Sequence, residues 1–209
     1  MHFLAILMIP VLATMCLAGC GINAQSMHGT VHAENRVYTN KPFGYELTLP
    51  ETWTVAGAEE LAAFNASASG EGTAQAEQAG NYYADFIASD TAAGSSIVIR
   101  NIQIGPRTFI GSEEELYVSL AESLKNDAAA AGIENAENAD TDVTFLGQPQ
   151  KALGVVGDFK LAEGYSTKMR QALIPCRNGV YVSLIYINCV SDDSGEALQG
   201  VLDLFRAVS

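Results

Sequence analysis

The stretch TKMRQALIPCRNGVYVSLIYINCV, residues 167–190, decides the fold. Two runs rich in apolar and β-forming residues, Thr167 to Ile174 and Val180 to Val190, flank Asn178-Gly179, and Asn-Gly in that setting is the strongest short hairpin signal. The spacing predicts a type I′ turn with Asn178 and Gly179 at positive φ. It sets Cys176 opposite Tyr181 and Cys189 opposite Lys168. The two thiols are then eight strand positions apart, roughly 27 Å at ~3.4 Å per residue, against the ~7 Å a disulfide allows between Cα atoms. They read as small buried hydrophobes rather than a bonded or reactive pair.

Outward from this hairpin the same period recurs. Tyr45 to Leu49 alternates apolar with polar and stops at Pro50, with Trp53 and Val55 continuing the same period, while Tyr82 to Ser89 and Ser96 to Ile104 form a second hairpin around Asp90 to Gly94. Further strands are expected at about Asp142 to Leu146 and Lys151 to Phe159. Glu59 to Phe64 suits two helical turns, followed by a small, polar, low-complexity stretch. Ser112-Glu113-Glu114-Glu115 is a capping box. Behind it Leu116, Leu120, Leu124 and Ala128 make one stripe, with Gly132 as the stop. A last helix opening near Asp193 puts Leu198, Val201, Leu202 and Phe205 on one face. One-sided helices need a sheet to cover, and strands arriving as hairpins imply an antiparallel one. The expected class is therefore α+β, an antiparallel β-sheet flanked by helices.

The order of these signals, with Phe43-Gly44-Tyr45 and Leu49-Pro50…Trp53 at the start and a long final hairpin leading into a short helix, resembles the PsbP-like group over Lys41 to Val208. That group includes an extrinsic photosystem II subunit, a nuclear-import factor and many small bacterial lipoproteins. The resemblance implies an α/β/α sandwich and a binding or accessory role more than an enzymatic one. It brings no catalytic residues with it.

At the N-terminus, Phe3 to Ala18 carries no charge and is shorter than the ~20 residues a membrane-spanning helix needs, as in a signal-peptide core. Leu17-Ala18-Gly19-Cys20 follows directly. It resembles the lipobox of bacterial lipoproteins, in which the cysteine takes a diacylglyceryl group and becomes the mature N-terminus. The departure from that pattern is the lack of Lys or Arg before the apolar run, which has only His2 ahead of it. An ordinary secretory signal cut after Ala24 is the alternative. The expected organisation is a signal peptide over 1–19, a flexible tether over 20–35 and one sandwich domain over 36–209. Lipid attachment is expected at Cys20, with stable anchoring requiring more than one acyl chain.

Charge narrows the partners. The chain has 11 Lys and Arg against 24 Asp and Glu, a net charge of −13. Such a surface repels phosphate, so no nucleic-acid partner is expected. The expected partners are the membrane through Cys20 and a protein of the envelope.

The three histidines, His2, His28 and His32, all precede Arg36, so the domain cannot build Ser-His-Asp or Cys-His catalysis from its own side chains. His28 and His32 have the i, i+4 spacing of metal ligands, but Gly29-Thr30-Val31 between them disfavours helix, and no metal site or cofactor is expected. Glu113 to Glu115, Asp140, Asp142, Asp192 and Asp193 read as caps and acidic loops. Asp140-Thr141-Asp142 lacks the pattern of a calcium loop, and Gly70-Glu71-Gly72 that of a phosphate loop. Lys168 and Arg170 share a strand face, read as exposed sheet rather than a cationic spot. Trp53, Tyr82, Tyr83 and Phe86 read as packing rather than a ligand pocket. Two alternatives to a binding module stand: a tethered hydrolase using Asp/Glu chemistry, and a solute-capturing component of a transport system.

Overall fold

Among the described residues every strand pairing is antiparallel. The structure is a computed structural model and describes residues 27–69, 83–103, 113–130, 132–162, 165–191 and 195–208. Cys20, Gly70-Glu71-Gly72, Tyr82, Ser112, Asp192 and Asp193 lie outside them.

In chain order the elements are β1 Thr30–His32, β2 Val37–Asn40, β3 Tyr45–Thr48, β4 Thr54–Val55, α1 Ala58–Ser69, β5 Tyr83–Asp90, β6 Ser95–Gln103 and α2 Glu113–Ala130. There follow β7 Ile133–Asn138, β8 Thr141–Phe145, β9 Gln148–Ala162, β10 Tyr165–Asn178, β11 Tyr181–Val190, α3 Glu196–Leu202 and β12 Phe205–Ala207. The large sheet runs β4-β5-β6-β11-β10-β9-β7, with β8 paired to β9; a small sheet runs β1-β2-β3-β12.

The large sheet is the middle layer. β11 is buried along nearly its whole length, which is why its sequence is a continuous apolar run rather than an alternation. On one face Ile97, Ile99, Ile185 and Ile187 meet Tyr45 and Leu47 of the small sheet and Leu198 and Leu202 of α3. On the other face Val98, Leu173, Leu184 and Tyr186 meet Leu120, Leu124 and Ala128 of α2, with Leu61 and Phe64 of α1 alongside. The fold is α+β, an antiparallel sheet flanked by helices, as expected. A second sheet supplies much of the cover on one side.

The central hairpin forms, but its turn differs from expectation. The loop is Gly179-Val180 between the paired residues Asn178 and Tyr181, and Gly179 alone of Asn178-Gly179 has positive φ, 61°. That is the type II′ pattern. Asn178 stays in the strand, where its side-chain amide donates to the carbonyl of Pro42 at 2.6 Å. Cys176 therefore faces Ser183, and Cys189 faces Arg170. The partner shifts by two positions, so each residue keeps its face of the sheet. No disulfide joins Cys176 and Cys189. A pair of positive φ values occurs instead at Leu146-Gly147, 50° and 74°, in the tight β8–β9 turn. Leu146 packs on the first core, which holds a side chain in a conformation that otherwise favours glycine.

Four strands were not legible beforehand: β1, β2, β7 and β12. Phe205, expected on the last helix, stands in β12 opposite Leu47; α3 ends at Leu202. Phe205 still fills the core, with Phe145 and Tyr45 rings at 5.4 and 5.8 Å. α1 extends past Phe64 to Ser69. The end of the stretch expected to be tether is folded: Thr30, Val31 and His32 pair with Thr39, Tyr38 and Val37.

Candidate functional site

The site is built on an irregularity in β5. Along the β5–β6 ladder Ala84 pairs with Arg100 and Phe86 with Ile99, which leaves Asp85 as an extra residue. Such a bulge turns a strand's faces over and re-aims a side chain. Ala84 accordingly joins the helix-side core, while Phe86 and Ala88 join the small-sheet core. The backbone groups of Ala84 are taken up by Asn65 of α1, whose Nδ2 donates to the Ala84 carbonyl at 3.1 Å and whose Oδ1 accepts from the Ala84 amide at 2.8 Å.

Asp85 is thereby delivered to the small-sheet side, buried, where it gathers donors from three parts of the chain. Oδ2 accepts from the Tyr38 hydroxyl at 2.5 Å, the Gly29 amide at 2.7 Å and Asn101 Nδ2 at 3.1 Å; His28 Nδ1 lies 2.9 Å from Oδ1. Asn101 and Asn40 also donate to the carbonyl of Met27, at 2.9 and 3.3 Å. Burial, first of all, raises the Tyr38 hydroxyl far above its ordinary pKa, with the charges of Tyr45 and Asp85 adding to it, so it serves as a donor throughout. Gly29 is held against the Tyr38 ring so closely that a Cβ there would lie 2.3 Å from it. A buried carboxylate with this set of donors is satisfied, and its effect is to fasten residues 27–29 to the domain.

On the opposite face of the sheet lies a second polar centre. Arg100 is buried between the rings of Phe64 and Tyr186, 5.2 and 5.6 Å from its guanidinium carbon. Asp127 of α2 is buried nearby. Desolvation raises its carboxyl to about 7, and the Arg100 charge opposes that rise. Asp90, a further buried carboxylate, closes the β5–β6 turn: it accepts from Thr52 at 2.6 Å and from the amides of Ala92 and Ala93, which holds its pKa below the usual range.

The residues singled out from the sequence do not converge. His28 joins Asp85, whereas His32 is exposed on β1. Among the described residues no group of three or more His, Cys, Asp or Glu is placed to hold a metal ion. Lys168 pairs with Asp158 at 2.8 Å. Arg170, half-buried, donates to the Ala139 carbonyl and to Thr141 Oγ1, each at 2.7 Å, so it fixes the β7–β8 corner rather than lying on open sheet. Asp140 accepts from the Gly154 amide at 3.1 Å. Trp53 and Phe86 are core residues, and burial pushes the Cys176 thiol up to about 12. Asp85 and Asp127 were missed. Both had a signal: each is a carboxylate set within an otherwise apolar strand or helix face, where burial is costly without a partner.

No family model matches the chain, and no curated protein matches it. Solved structures similar to it include the solution structure of cyanobacterial PsbP from Synechocystis sp., at 14% identity and TM-score 0.42, covering 93% of this chain and 98% of that one. The Ran-binding protein Mog1p of Saccharomyces cerevisiae is similar at 12% identity and TM-score 0.41, covering 79% and 91%. LpqN of Mycobacterium tuberculosis, involved in cell envelope biogenesis, is similar at 12% identity and TM-score 0.39, covering 79% and 83%. The PsbP group that the sequence resembles thus figures among the structural neighbours. The likeness is one of chain path and says nothing of ligands.

Proposed function

We propose that the protein is a bacterial envelope lipoprotein, acylated on Cys20, whose α+β domain is a non-catalytic binding or accessory module for another envelope protein. The observation that carries this reading is the fastening of residues 27–29 to the domain, His28 and Gly29 by Asp85 and Met27 by Asn40 and Asn101. Met27 lies seven positions after Cys20, and its carbonyl is already held by two asparagines. A segment fixed to its domain so soon after an acylated residue acts as a short leash rather than a loose linker.

Two features favour a binding module over an acid-pair hydrolase. Asp85 and Asp127 stand on opposite faces of the large sheet, so these buried carboxylates cannot act on one bond. Asp85 is also occupied as an acceptor by the donors that fasten the leash.

Mass spectrometry of the protein recovered from membranes tests the anchor. Diacylglyceryl mass on an N-terminal Cys20, with Cys20→Ala released to the soluble fraction, is the expected result. An unmodified N-terminus beyond Cys20 would overturn the reading.

A further inference from the structure

We propose that the end of the domain from which residue 27 emerges, marked by Lys41, Arg177 and the Gly179-Val180 hairpin tip, lies against the phosphate headgroups of the membrane. This rests on the lipid-anchor reading of Cys20.

The contacts place these residues at one end. Asn40 donates to the Met27 carbonyl, and next to it begins the short helical turn Lys41–Phe43. The Pro42 carbonyl in that turn accepts from Asn178, at the mouth of the β10–β11 hairpin. Asn101, which also holds Met27, lies on β6 two residues before Gln103, the partner of Tyr181.

Charge at this end runs against the rest of the chain. Among the described residues that these contacts place here, the exposed charged side chains are Lys41 and Arg177, while Asp85, which holds His28 and Gly29, is buried, in a protein of net charge −13. Lys41, Arg177 and Val180 are all exposed, and Val180 is 45% accessible.

Length then excludes the inverted orientation. Seven residue steps from Met27 back to Cys20 span at most about 25 Å. β10 runs from Tyr165 at the far end to Asn178 at the near end, roughly 43 Å at ~3.3 Å per residue. A leash of that reach cannot turn Tyr165 toward the lipid while Met27 points away. Of the orientations left, one that lays the β7 edge down brings Glu137 and Glu134, the latter paired with Lys160, toward the headgroups. The end-on one brings the two cations, whose attraction acts within a Debye length of the surface.

The test couples a maleimide-bearing lipid to Cys20 of the mature chain in phosphatidylglycerol–phosphatidylethanolamine vesicles that carry a nitroxide on the headgroup. Cys189 is buried, and Cys176→Ser in every variant removes the half-buried thiol, which leaves Cys20 for coupling. Tryptophan emission is read in Val180→Trp and, at the far end, in Tyr165→Trp, each against the parent chain. Several-fold stronger quenching of Val180→Trp is expected, reduced when Lys41 and Arg177 are both changed to Glu. Equal quenching at the two ends, stronger quenching of Tyr165→Trp, or indifference to the two charge changes would overturn the proposal. The coupled lipid supplies the leash whether or not the cell acylates Cys20. The membrane-facing end and the anchor therefore succeed or fail separately.

Discussion

The side-chain amide of Asn65 is hydrogen-bonded to both backbone groups of Ala84, one strand residue before Asp85. α1 thus completes, from the helix side, the irregularity that presents a carboxylate to the other side of the sheet. One bulge thus takes contacts from both faces of the large sheet.

Asn65→Ala is expected to leave a buried N–H and a buried C=O unpaired, at a cost of about 2–3 kcal/mol in urea unfolding. Because the bulge then loses its clamp, amide exchange at Gly29 should quicken as well. Unchanged protection at Gly29 would show that the bulge holds itself.

Gly29→Ala tests the fastening directly. The new Cβ would meet the Tyr38 ring, which is buried and held in place by Asp85, so the N-terminal segment has to lift rather than the ring. Expected are loss of exchange protection for residues 29–32 and faster proteolysis near Met27, while the far-ultraviolet spectrum of the domain is retained. Proteolysis at the parent rate would count against the fastening.

Asp127 gives the fold a pH signature. Its carboxyl moves from an ordinary 3.8 to about 7 in the folded protein, so the folded state keeps a proton that the unfolded chain has released. Stability is thus greatest, for this group, below the unfolded value and falls as pH rises through the folded one. Relative to Asp127→Asn, the parent should lose on the order of 2 kcal/mol between about pH 4 and pH 7.5, read as urea midpoints. Parallel curves for the two proteins would remove Asp127 as the cause.

Gly154→Ala should damage the corner that Arg170 holds. A Cβ at Gly154 would lie 2.4 Å from the Ala139 carbonyl oxygen, a backbone atom that cannot yield cheaply. The expected cost is about 1–3 kcal/mol, with loosening of β7 visible in exchange at Ile133 to Asn138. A stability equal to the parent's would mean the β7–β8 corner adapts.

Much of the frame was legible in residue order. Alternation in Tyr45 to Leu49 and Ser96 to Gln103, the apolar stripe ending at Ala128 and Asn-Gly in the long hairpin all encode local geometry, and the strands and helices follow them. β1, β7 and β12 carry no such pattern, because they are short or exposed and form only where another strand offers a ladder.

Residue order alone determined the class of fold, the acidity and the lack of histidine beyond His32, since each depends on composition or on neighbours a few positions apart. Only tertiary structure decided that Asp85 would leave the β5 pattern and gather His28, Gly29, Tyr38 and Asn101. Those partners lie between 16 and 57 positions away. A buried carboxylate takes its place from the donors that surround it, and no local periodicity records which distant residues those are.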